Sequence, residues 1–136
     1  MEKRAAPDLL PAPQWLQRLP GNFTWPRPPR LPAIKIVRID SAPRQPEGYA
    51  LTIRPDEVTV EFREPPGLGA AAATLRQLRR QFGDHLPCLK IRDWPDFPRR
   101  GVMLDVSRGR VPNLDTLLEL AERLAEFKIN ELQLYT

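Results

Sequence analysis

Residues 86–108, LPCLKIRDWPDFPRRGVMLDVSR, constrain the fold of this chain more than any other stretch. An apolar strand-like run leads into Asp93-Trp94-Pro95-Asp96-Phe97-Pro98, and a second apolar run follows an arginine pair. Two prolines in so short a link deny it regular structure and favour an extended connection. The chain therefore reads as structured segments on either side of a stiff connector.

Upstream of the connector, the period is that of β-structure. Residues 33–40, AIKIVRID, alternate apolar and charged side chains and read as a half-buried strand. Tyr49, Leu51 and Ile53 alternate on one face of a second run, and Val58, Val60 and Phe62 on one face of a third. Between these two runs, Arg54-Pro55-Asp56-Glu57 is a tight turn, with Pro55 pre-set for the second turn position. The pair predicts a β-hairpin. Pro65-Pro66-Gly67 then breaks the strand, and the alanine-rich residues 68–82 predict a helix with Leu75, Leu78 and Phe82 on one face. Gly83-Asp84 stops it, and residues 86–91 give a further strand. Strands covered by a helix make a small α+β layer.

Downstream, Val102, Met103, Leu104 and Val106 form a nearly continuous apolar run, as in a strand covered on both faces. Asn113 is placed to cap a helix, with Asp115 in its first turn. Leu114, Leu117, Leu118, Ala121, Leu124 and Ala125 form its expected buried stripe, and residues 131–135 read as one more strand. Strand, helix, strand is a βαβ unit whose parallel strands call for further neighbours.

The 136 residues include 17 prolines, eight of them before Ala33. That skew predicts an extended N-terminal arm over residues 1–32, anchored by Trp15, Phe23 and Trp25. Pro26-x-x-Pro29 also matches a polyproline-II ligand, although such spacings arise wherever proline is frequent. The net charge of +4 is scattered, and its densest cluster, Arg76, Arg79 and Arg80, comes without an aromatic stacking set. A solvated helix face explains that better than a nucleic-acid surface. Cys88 is the sole cysteine and reads as a buried thiol; with the lone His85 it makes no metal site, and no cofactor is implied. Neither a secretory signal nor a membrane span is read, so a cytoplasmic location is the expectation.

In their order and spacing these segments resemble glycoside hydrolase family 20, the β-N-acetylhexosaminidases. Leu10-Pro11-Ala12-Pro13 with Gly21-Asn22-Phe23-Thr24 is similar to the opening of the family's accessory domain. Gly48-Tyr49-Ala50-Leu51-Thr52-Ile53 with Val58-Thr59-Val60 resembles its hairpin, and Thr74-Leu75-Arg76-Gln77-Leu78 its helix. Ile91-Arg92-Asp93-Trp94-Pro95, then Arg100-Gly101-Val102-Met103-Leu104-Asp105-Val106-Ser107-Arg108, resembles the junction and first barrel strand; Lys128-Ile129-Asn130 is similar to the end of the first barrel helix.

The resemblance implies three parts: the arm at 1–32, an α+β accessory domain at 33–97, and at 98–136 the start of a β/α (TIM-type) barrel. A full barrel needs about 250 residues. The implied activity is removal of terminal N-acetylhexosamine from glycans by a substrate-assisted route, an exception to the two-carboxylate scheme. The catalytic Asp-Glu pair is expected beyond Thr136, so the chain alone is expected to be inactive. On spacing alone Arg100 is read as pairing with Asp93 or Asp96 at the junction; the resemblance implies instead that it holds sugar hydroxyls, a task suited to a rigid guanidinium fork. Barrel chemistry lies at the C-terminal ends of strands, which favours Asp105, Ser107 and Arg108 on position, with Asp105 and Arg108 bracing the first loop. Gly109-Arg110 and Gln133 with Tyr135 depart from the family's histidine-bearing pattern and point to a divergent branch. A non-catalytic carbohydrate- or protein-interaction module is the alternative. Self-association through open barrel edges is expected in either case.

Overall fold

The computed structural model describes residues 7–28, 30–109 and 111–136. It is a small α+β structure with a mixed sheet and two helices, divided into two compact units, Met1–Pro95 and Asp96–Thr136.

In the first unit, β1 (Trp15–Thr24), β2 (Ile34–Arg38), β3 (Tyr49–Ile53), β4 (Val58–Phe62) and β5 (His85–Asp93) form one sheet in the order β1-β5-β3-β4-β2. β2 runs parallel to β4, and the other pairings are antiparallel. The β3–β4 hairpin falls where alternation put it, and its turn is closed by Arg54 N–H donating to Glu57 O at 2.9 Å. Tyr49, Leu51, Ile53 and Val58 are fully buried. With Leu78, Leu86, Leu89 and Ile91 they make the core.

β1 is a strand the sequence reading did not place. Residues 15–24 show no clean alternation, and Pro20-Gly21 reads as a turn. The ladder with β5 absorbs that pair in an irregularity between Arg18 and Asn22, where Gly21 takes φ +92°. Proline is tolerated there because β1 lies at the edge of the sheet. Phe23 is in the core and meets Trp25 edge-on at 6.0 Å, while Trp15 stays exposed. The Pro26-x-x-Pro29 reading ends on Pro29, outside the described residues.

Helix α1 (Pro65–Phe82) begins three residues earlier than expected. Proline is harmless in a first turn, whose N–H groups have no helical acceptor. Its contact face is also wider than its leucines: Gly67, Ala70, Ala71, Ala73 and Thr74 are all buried. Gly83 ends the helix at φ 60°, donating to Arg79 O at 2.8 Å. The chain before β1 is clamped to α1 by two carboxamides. Gln77 accepts from Leu10 N–H at 2.9 Å and donates to Leu10 O at 2.7 Å, and Gln81 does the same for Asp8.

The second unit contains β6 (Gly101–Asp105), α2 (Leu114–Glu126) and β7 (Glu131–Tyr135), with β6 and β7 parallel and in register. The expected cap is present: Asn113 Oδ1 accepts from Thr116 N–H at 2.8 Å. Asn113→Ala should weaken this helix by about 1 kcal/mol. Amide hydrogen exchange at Leu117 and Leu118 would report it, and unchanged protection would mean that the cap contributes nothing. The expected burial of the stripe is not observed, since no residue of α2 is buried and Leu114 and Leu118 are exposed. Val102 and Met103 are likewise exposed, contrary to a strand covered on both faces. Two strands offer one helix too little surface to bury either element fully.

Candidate functional site

The residues singled out by sequence lie at opposite ends of the β6–β7 pair. Arg100 immediately precedes β6. Its backbone N–H donates to Asn130 Oδ1 at 2.9 Å, its Nε to Lys128 O and its Nη1 to Phe97 O, both at 2.8 Å. Asn130 Nδ2 in turn donates to Pro98 O at 2.8 Å, and the amides of Asn130 and Glu131 reach Arg100 O. Beside this knot, Arg99 forms a two-pronged pair with Glu131 at 2.9 and 3.0 Å. That pairing holds the Glu131 carboxyl below its ordinary range. The guanidinium of Arg100 thus fixes the entry into β6 against the entry into β7.

At the other end, Asp105 pairs in register with Tyr135, and Val106 N–H extends the ladder to Tyr135 O at 2.9 Å. Asp105 Oδ1 accepts from the Ser107 hydroxyl at 2.6 Å and from its N–H at 2.8 Å. These two bonds hold the carboxyl below its ordinary range, the hydroxyl contributing most. Both bonds come from Ser107, the second residue after β6; among the described residues no ion pair joins Asp105 to Arg108. Five residue steps of extended chain, about 16 Å, separate Asp105 from Arg100. The two ends therefore cannot act on one reacting atom.

Two further constellations escaped the sequence reading. Asp93 is buried at the end of β5, where its carboxylate accepts from the Tyr49 hydroxyl and from Gln14 N–H, each at 3.1 Å. Thr74 Oγ1 lies 2.6 Å from the same Tyr49 oxygen. Spacing could not reveal this, because its members sit 25 to 79 residues apart. The other is a cavity between residues 40–45 and the end of β5. Cys88 is buried as expected, and that burial pushes its thiol above the ordinary value against the pull of Arg18. Among the described residues no cluster of three His, Cys, Asp or Glu side chains is positioned to hold a metal, and no helix is long and apolar enough to cross a membrane.

Known proteins resemble this chain along most of its length. The family described as glycosyl hydrolase family 20, domain 2, matches residues 27–94. A β-N-acetylhexosaminidase of Cellulomonas fimi is 31% identical over 141 residues, covering 96% of this chain and 28% of the relative. A β-hexosaminidase of Vibrio furnissii is 36% identical over 120 residues, covering 85% of this chain and 19% of the relative. Among solved structures, a glycoside hydrolase family 20 β-N-acetylglucosaminidase superimposes with a TM-score of 0.79 at 28% identity, covering 96% of this chain and 31% of that one. The chain thus spans less than a third of the length of each of these three proteins.

Proposed function

Because the chain belongs to glycoside hydrolase family 20, we propose that it supplies the accessory layer and the first strand, helix and strand of the barrel to a β-N-acetylhexosaminidase-type hydrolase. The single observation carrying this reading is the match of residues 27–94 to the family's second domain, continued by likeness across 96% of the chain. The substrates are glycans ending in N-acetylhexosamine, cleaved with the substrate's own acetamido oxygen as nucleophile. The acid and the orienting carboxylate come from later barrel strands, beyond Thr136.

Within this chain, β6, α2 and β7 carry the barrel's opening, and further strands and helices cover the exposed Val102, Met103, Leu118 and Leu134. Where nothing covers them, the chain associates with itself through the same surfaces. Arg100 is the residue that meets the sugar. Its guanidinium is oriented by the Lys128 and Phe97 carbonyls, so that it offers hydroxyls a rigid fork. Asp105 and Ser107 shape the first loop at the other end of the strand.

The test has two parts. Chain 1–136 should give no turnover of a chromogenic N-acetyl-β-glucosaminide, and measurable turnover would overturn this division of labour. The coding frame should continue past Thr136 into more βα units with an Asp-Glu pair at a strand end. A stop codon directly after Thr136 would instead favour a non-catalytic interaction module.

A further inference from the structure

The cavity in the first unit has a volume of about 380 Å³, the size of a small-ligand site. Its walls come from two places. Asp40, Ser41, Arg44 and Gln45 belong to the connection between β2 and β3, and Arg92 and Trp94 to the end of β5 and the residue after it.

The connection is held in shape rather than draped over the sheet. Ile39 N–H donates to Phe62 O at 2.9 Å, Ala42 N–H to Ile39 O at 3.3 Å, and Gly48 N–H to Gln45 O at 2.9 Å. Ala42 is buried, and Gly48 lies so close to Pro43 and Gln45 that a side chain there would clash. Arg92 Nη2 lies 3.4 Å from Ser41 O, a weak contact across the cavity between the two walls.

The charges are unbalanced. Asp40 is the one carboxylate among these lining residues; it is almost fully exposed and lies 3.5 Å from Arg63. Among the described residues no carboxylate pairs with Arg44 or Arg92. Two arginines without a carboxylate partner therefore line a cavity whose other lining residues include Trp94, Gln45 and Ser41. A flat apolar wall beside several hydrogen-bonding groups suits a sugar ring, and planar guanidinium forks suit a carboxylate or sulfate on it.

We propose that this cavity is a second glycan site, separate from Arg100, that takes a sugar unit bearing a carboxylate or sulfate. The choice of a sugar rests on the glycan reading above; the choice of an anion rests on Arg44 and Arg92.

The experiment titrates chain 1–136 with N-acetylglucosamine 6-sulfate, glucuronic acid, N-acetylglucosamine and inorganic sulfate, read by calorimetry and by tryptophan fluorescence. At least one charged sugar should bind saturably, about tenfold tighter than N-acetylglucosamine and inorganic sulfate, and more weakly as salt is raised. The stronger of the two identifies the anion. Arg44→Gln and Arg92→Gln should each lose about tenfold in affinity at an unchanged melting temperature. Both side chains are exposed, so neither substitution disturbs the core. Equal affinity for neutral and charged sugars, equal affinity for inorganic sulfate, or indifference to both substitutions would overturn the proposal. So would no binding at all. Any of these leaves the hydrolase reading standing, since turnover and the reading frame decide that one.

Discussion

Replacing Gly67 with alanine should lower the stability of the first unit by about 3 kcal/mol. For a unit of this size that corresponds to a fall of about 15 °C in melting temperature. Gly67 lies in the first turn of α1, its N–H donating to Glu64 O at 2.9 Å, and it packs directly on the backbone of Gly48. A Cβ at position 67 would land on the carbonyl oxygen of Gly48 and 3.1 Å from its carbon. Both obstacles are backbone, so no side chain can swing aside. Gly48 is itself closely backed, since a Cβ built on it would lie 2.7 Å from Pro43 O and 2.8 Å from Gln45 O. The helix would have to lift from β3 and β4, loosening Ala70 and Ala71 from the core. Gly69, two residues on, is the control. Nothing lies within 4 Å of the site its Cβ would occupy, so Gly69→Ala should gain as much as about 1 kcal/mol from helix propensity. Thermal melts followed by circular dichroism should show shifts of opposite sign. Equal shifts would mean that the close approach to Gly48 does not govern this packing.

The second large effect is expected at Asp93. Asp93→Ala strips the acceptor from the Tyr49 hydroxyl and from Gln14 N–H, costing about 3 kcal/mol in chemical denaturation. The same network makes stability fall in alkali. Burial, and next the charge of Asp93, raise the Tyr49 hydroxyl far above its ordinary value of about 10, while the bond from Thr74 opposes them. The folded value lies above the unfolded one, so the contribution is intact below about pH 10. It is lost as pH rises further, by about 1.4 kcal/mol per pH unit. Tyr49→Phe should be about 2 kcal/mol less stable at neutral pH, having lost its bond to a buried carboxylate, yet should not show that extra alkaline slope. If both proteins lose stability equally fast above pH 10, Tyr49 is not the group responsible.

Several elements were legible because a few adjacent residues decide them. The β3–β4 hairpin follows from alternation on either side of Arg54–Glu57, the end of α1 from Gly83, and the start of α2 from Asn113. The order of motifs from Tyr49 to Arg108 also carried the family, which the match at residues 27–94 supports. What escaped depends on partners distant in sequence. β1 is a strand because β5, some seventy residues away, offers it a ladder and accommodates Pro20-Gly21 as an irregularity. Asp93 resembled a junction carboxylate until the fold placed it under Tyr49 and Thr74. Arg92 and Trp94 had no reason to be linked to Arg44 before the sheet brought that connection beside β5.

Arg100 shows where the division falls. Its place after a proline-marked link and before a strand was readable from order alone. Its engagement with Lys128 and Phe97, and its distance from Asp105, came only with the parallel pairing of β6 and β7. Period, turn chemistry and helix caps are written within a few residues, because they act through neighbouring dihedral angles and short hydrogen bonds. The cavity, the buried carboxylate and the contact of Gly67 with Gly48 arise where separate segments exclude water from one another, and only the tertiary structure decided which segments those are.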